Sequence, residues 1–365
     1  MIRTGVVGLG KMGISHCAII NAHPDVDLVA VCDTSNLMLT AISKYAGIKT
    51  YEDFKKMIDD QHLDALFVAT PTKFHAPIVN YALKHRIHVF CEKPLCLTIE
   101  EGQAMVEEAE RSNLVNQVGY HNRFIGTFKE AKRLVDNRVI GEIYHVTGEA
   151  YGPVVLREKG LTWRSDKKEG GGCLYDYASH VINLMEYMVG SPKYVSGTEI
   201  KSIYSKGVDD AVYSTLMFDS NVSGQLSVNW SDETFRKMYT SITMMGMQGK
   251  IVCDALECKV YIKGKEIVDG YNPGWNIRYI TDFAEPLWYF LRGEEYSAQV
   301  DYFITCVKEG RCENVNSFRS ALSTDIVIEQ LFNNSGVTAA PQLKQDLNDS
   351  LLQRLKAGIK YIFKI

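Results

Sequence analysis

Three groups of residues have types and spacings that can do chemistry. The first is Gly8-Leu9-Gly10-Lys11-Met12-Gly13, which follows a short β-branched run and opens a helical pattern. Glycines so spaced permit a tight turn and let main-chain N–H groups at a helix N-terminus approach a pyrophosphate. A glycine-rich turn is often only a turn. Here the order strand, glycines, helix, second strand makes it a dinucleotide site, with Gly8, Gly10, Lys11, Met12 and Gly13 as contacts. Asp33 closes the next apolar run, where the fingerprint places an acid on the ribose hydroxyls. Its charge would repel a 2′-phosphate. Thr34, Ser35 and Asn36 supply no cation to offset that, so the pattern favours NAD over NADP, with a solvated turn aspartate as the plainer alternative.

The second group ends two further apolar runs. Ala69-Thr70-Pro71 precedes His75, and His88-Val89-Phe90-Cys91 leads into Glu92-Lys93-Pro94. Ligands of open parallel sheets lie outside the carboxyl ends of strands, which brings Thr70, Pro71, His75, Glu92 and Lys93 to one crevice. A lone helix histidine or surface lysine is usually just solvated, so position carries the weight for both. Pro94 also keeps Lys93 out of helix. The third group is Gly170-Gly171-Gly172-Cys173-Leu174-Tyr175-Asp176-Tyr177-Ala178-Ser179-His180. Asp176 and His180, four apart in a predicted helix, share a face. A histidine can accept a hydroxyl proton during oxidation, while a neighbouring carboxylate orients it and favours its charged form. Taken alone, the two residues read more readily as a structural pair capping or bracing the helix, and the preceding triple glycine shifts the balance.

The elements that must position these groups change character along the chain. Strands are predicted at Thr4 to Val7, Leu28 to Cys32, Ala65 to Ala69, His88 to Cys91 and Asn116 to Gly119. Helices are predicted at Met12 to Ala22, Tyr51 to Asp60, Phe74 to Lys84 and Thr98 to Ser112. That alternation describes an α/β Rossmann domain with a doubly wound parallel sheet. From about Gly141 longer alternating runs take over: Ile143 to Tyr151, Tyr194 to Tyr204, Ala211 to Phe218, Ser223 to Asn229 and Tyr239 to Thr243. These read as an open, mainly antiparallel sheet. Helical stretches at Tyr177 to Met188, Ala298 to Glu309 and Ser317 to Asn333 make this second domain α+β. The division expected is 1–122 for NAD, 123–335 for substrate and oligomerisation, and a helical tail over 336–365.

Composition excludes several classes. The chain has 365 residues, 46% hydrophobic and 23% charged, so it can bury two cores and is neither disordered nor fibrous. A net charge of -4 and no basic stripe argue against nucleic acid. No apolar run reaches membrane-span or signal-peptide length, and no Cys/His cluster has zinc spacing. Nine cysteines without a Cys-x-x-Cys pair read as reduced thiols in a cytoplasmic protein with no metal.

Together these residues resemble the Gfo/Idh/MocA oxidoreductases, the group named after glucose-fructose oxidoreductase and inositol dehydrogenase. The resemblance rests on Gly8 to Gly13, Asp33, Thr70-Pro71 with His75, Glu92-Lys93-Pro94, Gly119-Tyr120-His121-Asn122-Arg123-Phe124, Trp163-Arg164 and Gly170 to His180, in family order. It implies tail helices that return to the first domain, sugar-like substrates, and an open sheet that packs partner subunits into a dimer or tetramer. It places the family's catalytic lysine, carboxylate and histidine on Lys93, Asp176 and His180. Lys93, Tyr120, Arg123, Asp176, Tyr177, His180 and Asn183 are then expected around the substrate, and Trp163 and Arg164 around the cofactor. Asn183 stands where the family often has aspartate, and Ala178 where glycine is frequent, so the particular sugar stays open. Arg123 and Arg164 would suit a carboxylate or phosphate on the substrate. The expected activity is an NAD-dependent hydride transfer between nicotinamide and a sugar, cyclitol or sugar-nucleotide carbon. Two alternatives share the motifs: a glycoside hydrolase that oxidises transiently with tightly held NAD, and a non-catalytic NAD(H) sensor.

Overall fold

The computed structural model describes residues 1–157, 162–291 and 293–336. From residue 337 onward, the predicted tail helix lies outside the described residues.

The first third of the chain alternates as its apolar runs require. In order come β1 (Ile2–Val7), α1 (Lys11–Asn21), β2 (Val26–Cys32), α2 (Asn36–Ala46), β3 (Lys49–Tyr51) and α3 (Phe54–Gln61). Then follow β4 (Ala65–Val68), α4 (His75–Lys84), β5 (His88–Cys91), α5 (Ile99–Arg111) and β6 (Asn116–Val118). All six strands are parallel, in the order β3-β2-β1-β4-β5-β6. Order reverses between β1 and β4, so a crevice opens at their carboxyl ends. The sequence reading missed α2, which buries only Leu39 and so shows little apolar stripe. It also carried the next helix back to Tyr51, which belongs to β3. The helix starts at Phe54 because the Asp53 carboxylate caps it, accepting from the Lys55 N–H at 2.8 Å.

Beyond α6 (Gly126–Asp136), β7 (Ile143–Tyr151) and α7 (Ser179–Val189), the chain lays down β8 (Pro192–Lys201), β9 (Ala211–Phe218), β10 (Ser223–Asn229) and β11 (Tyr239–Gly246). The strands β12 (Gly249–Asp254), β13 (Glu257–Ile262) and β14 (Gly274–Tyr279) complete an eight-stranded sheet. Its order is β14-β13-β12-β11-β7-β10-β9-β8, and only β7 and β10 run parallel. One face packs on α6 and α7 through Phe128, Leu134, Val181, Ile182 and Met185. The other face carries partly exposed Tyr213, Tyr261, Trp275, Ile277 and Tyr279.

Two further helices tie the sheets together. α8 (Glu294–Glu309) returns to the first sheet, where Phe303 meets the stacked rings of Phe67 and Phe90 edge-on. α9 (Phe318–Asn334) spans both cores, with Phe318 and Ala321 in the first and Val327, Ile328 and Leu331 in the second. Burying each of the larger of these side chains contributes about 1.5–3 kcal/mol, so the junction between the sheets is firm.

Candidate active site

A cleft of about 750 Å³ runs along the carboxyl ends of β1, β2, β4 and β5. Its floor is the glycine turn. Gly8 has φ +95, and a Cβ there would come within 2.6 Å of the Ala69 carbonyl oxygen. At Gly13 a Cβ would sit 1.8 Å from the Gly8 carbonyl oxygen, so α1 can approach β1 only without a side chain. Gly10 differs: a Cβ there would meet no atom within 4 Å and would project into the cleft. Lys11 and Met12, in the first turn of α1, line the same wall. Asp33 ends β2 with one carboxylate oxygen accepting from the Leu9 N–H at 2.5 Å and the other from Ser35 at 2.8 Å. These bonds hold the acid against the turn, facing the cleft.

Thr70, Pro71, Glu92 and Lys93 line the opposite wall, as do Trp163, Arg164 and Asp176. Glu92 is buried, and its Oε1 lies 2.6 Å from His16 Nε2 on α1. Burial pushes this carboxyl up, but the His16 hydrogen bond and nearby Lys93 outweigh that and leave it below the usual glutamate range. The lysine turn is thus tethered to the helix that follows the glycines. His75 does not line the cleft. It lies buried behind, with Nδ1 against the carbonyls of Pro94 and Leu95 and Nε2 against that of Thr70, joining the ends of two strands.

Lys93 Nζ donates to the Asp176 carboxylate at 2.7 Å and to its main-chain carbonyl at 2.8 Å. Arg164 Nε donates to the other carboxylate oxygen at 3.0 Å. Burial raises the Asp176 carboxyl, yet the two cations hold it below its ordinary range, so it stays ionised. The expected pairing of Asp176 with His180 is corrected here. Residues Leu174–Ala178 form a π-turn rather than α-helix, and the Asp176 carboxylate is bonded to Lys93 and Arg164 instead of to His180. His180 sits buried in the first turn of α7, and burial, Lys93 and His121 push its imidazole well below the usual histidine range. It is neutral at neutral pH.

Tyr120, Arg123, Tyr177 and Asn183 lie behind the cleft, all buried. Arg123 donates from Nε to Asn183 Oδ1 at 2.7 Å, from Nη2 to the Asn183 carbonyl at 3.0 Å, and from Nη1 to Ser320 Oγ and the Val315 carbonyl. Asn183 also donates to Thr324. Both side chains are thus engaged by protein partners, and an anionic substrate group would have to compete with these bonds. Burial draws the Arg123 guanidinium down to about 10. Tyr177 packs edge-on against Trp230, with its hydroxyl against Gly152. Sequence reasoning missed His16 and His121. The spacing of His16, one helical turn past Gly13, is a signal that could have found it.

Residues 2–120 match the oxidoreductase family with an NAD-binding Rossmann fold named Gfo/Idh/MocA, and residues 128–252 match that family's C-terminal domain. The chain belongs to the Gfo/Idh/MocA family. Myo-inositol 2-dehydrogenase of Thermotoga maritima is 27% identical over 324 residues, covering 85% of this chain and 89% of that protein. The scyllo-inositol 2-dehydrogenase (NAD(+)) of Bacillus subtilis is 24% identical over 342 residues, 90% and 92% of the two chains. Levoglucosan dehydrogenase, solved with NADH and levoglucosan, shares the fold with a TM-score of 0.82 at 22% identity, over 92% of this chain and 97% of that one. As a Gfo/Idh/MocA protein the chain is an NAD-binding oxidoreductase of the class acting on CH–OH groups. Its cleft suits that cofactor in volume, and Gly10 leaves open the space where a pyrophosphate approaches the main chain. Among the described residues no helix is long and apolar enough to cross a membrane, and no cluster of His, Cys, Asp or Glu could hold a metal.

Proposed function

We propose that this enzyme oxidises a secondary hydroxyl of a sugar, cyclitol or sugar-nucleotide substrate with NAD, using Lys93, Asp176 and His180 as its acid–base set. The observation that carries the reading is one ionised carboxylate on the wall of the dinucleotide cleft, shared by Lys93 and Arg164, with the buried imidazole of His180 behind it under the influence of the same Lys93. His180, uncharged, accepts the hydroxyl proton. Lys93 donates a hydrogen bond to the reacting oxygen and stabilises its developing charge, and Asp176 holds Lys93 in place. A bound nicotinamide supplies the hydride acceptor. In reduction the proton returns by the same groups. Asp33 favours NAD over NADP, because its carboxylate faces the ribose end without a compensating cation. In this division residues 1–122 hold the dinucleotide and 123–335 supply the substrate side.

The outer face of the eight-stranded sheet, with Tyr213, Tyr261, Trp275, Ile277 and Tyr279 partly exposed, supports a homo-oligomer. All nine cysteines are free, which suits a reducing, cytoplasmic setting. The test is NADH absorbance while the protein is offered NAD and a panel of cyclitols, aldoses, uronates and sugar nucleotides, with Lys93→Ala as control. Turnover lost in the variant supports the reading. Release of a chromogenic aglycone without added NAD would replace it with the glycoside-cleaving cycle, and NADH binding with a silent panel would replace it with a sensor.

A further inference from the structure

Among the described residues no carboxylate is hydrogen-bonded to His180. Its Nδ1 is buried without a hydrogen-bond partner, and Asp176 is turned to Lys93 and Arg164. Rings hold the imidazole instead. Tyr120 meets it edge-on at 5.9 Å between centroids and 89° between planes, and His121 does so at 4.8 Å and 67°. Behind His121, Tyr296 of α8 stacks at 4.7 Å and 20°. Both ends of that stack are anchored. Gly119, just before Tyr120, donates its N–H to the Cys91 carbonyl at 2.9 Å, beside the turn that carries Lys93. α8 is pinned to the end of α1 by Asp301 on His23 at 3.1 Å and by Lys308 on Asp25 at 2.6 Å.

We propose that His121 and Tyr296 are positioning residues for His180, forming a three-ring stack from α8 to α7 that orients the imidazole in place of a carboxylate. The inference rests on His180 being the base assigned above. Edge-to-face and offset ring contacts have preferred geometries, so a stack of three restrains rotation of its last member. It also couples the base to α8, an element distant in sequence. The groups around His180 are Lys93 from the turn after β5 and His121 and Tyr120 from the segment after β6, while the Asp176 carboxylate in the π-turn is taken up by Lys93 and Arg164. After burial, Lys93 and His121 are what push the imidazole down. Removing His121 while filling its space therefore raises the titration midpoint of His180, and removing its ring also frees the imidazole to turn.

The test compares His121→Phe, His121→Ala, Tyr296→Phe and Tyr296→Ala in the full chain. Two readouts are used: the His180 imidazole resonance during a pH titration, and kcat for NADH formation alongside the NADH Kd. A misplaced base lowers kcat by roughly tenfold or more, so both alanine variants lose that much while NADH affinity holds, and both phenylalanine variants recover most of it. The His180 midpoint rises in His121→Phe and stays put in Tyr296→Phe. Full kcat in both alanine variants, or no rescue by phenylalanine, overturns the proposal. If no polyol is turned over at all, the functional reading fails by itself. The positioning role is then decided by the resonance, which must broaden in the alanine variants and not in Tyr296→Phe, and an unchanged resonance in all four sinks it.

Discussion

Two neighbouring glycines separate what the turn needs to fold from what it needs to bind. Gly13→Ala puts a methyl carbon 1.8 Å from the Gly8 carbonyl oxygen, a rigid main-chain atom. An ordinary C···O contact is about 3.3 Å or longer, so α1 would have to retreat by about 1.5 Å. Overpacking of that kind costs about 1–3 kcal/mol, and it displaces the N–H groups that face the cleft. Gly10→Ala is the contrast. With φ -66 and ψ -174 its backbone suits any L residue, and its methyl would meet no protein atom within 4 Å. Stability should therefore stay within roughly 0.5 kcal/mol of the wild type. The methyl does enter the space where a pyrophosphate would approach Lys11 and Met12. Losing one charge-assisted hydrogen bond there costs about 1.5–3 kcal/mol, or about 10- to 100-fold in Kd. Thermal melts and NADH fluorescence titration read the two effects separately. Gly13→Ala is expected to melt earlier and bind weakly, and Gly10→Ala to melt normally and bind weakly. Wild-type NADH affinity in Gly10→Ala would refute the placement of the dinucleotide on this turn.

Four further outcomes follow from the site. Asp176→Ala leaves the Lys93 ammonium largely unpaired in a buried position, at a cost of about 2–4 kcal/mol at pH 7, discounted because Arg164 is nearly half exposed. Since the folded-state pKa of Asp176 is depressed, that stabilisation is present above about pH 4 and is lost as pH falls further. The gap in urea midpoint between wild type and variant should narrow on going from pH 5 to pH 3, and a constant gap would contradict the ion-pair account. His180, held neutral by burial, keeps accepting protons well below the usual histidine midpoint of about 6.5, so the rate of oxidation should not halve there; a midpoint near 6.5 in the kcat profile would refute it. By the same linkage the unfolded chain binds a proton below about pH 6.5 that the folded chain refuses, so stability falls from pH 7 to pH 5 less steeply in His180→Phe. Asp33→Ser removes the repulsion of a 2′-phosphate and the two hydrogen bonds to Leu9 and Ser35, and should narrow the preference for NADH over NADPH by about tenfold in Kd. Unchanged ratios would assign Asp33 to the turn alone.

Local signals carried the dinucleotide half because its chemistry is local. Glycines, an acid at the end of β2 and a lysine at the end of β5 lie beside the strands that point them, and strand ends face one crevice in any doubly wound sheet. The polar hub of Arg123, Asn183 and Thr324 was invisible for the opposite reason. Its members come from three distant segments, and a buried guanidinium that gives four hydrogen bonds to protein reads in sequence like one waiting for an anion.

By itself, the sequence determined the parallel sheet, the glycine turn and the two-part architecture, since each depends on periodicity or on neighbours along the chain, and it offered Lys93, Asp176 and His180 as the proposed acid–base set only through a family resemblance. Only the tertiary structure decided how that set is wired. Lys93 and Arg164 take up the Asp176 carboxylate in a π-turn, and a helix from far down the chain brought Tyr296 behind His121. One extra residue in a helical turn, and contacts between segments more than a hundred residues apart, leave no period in the sequence to read.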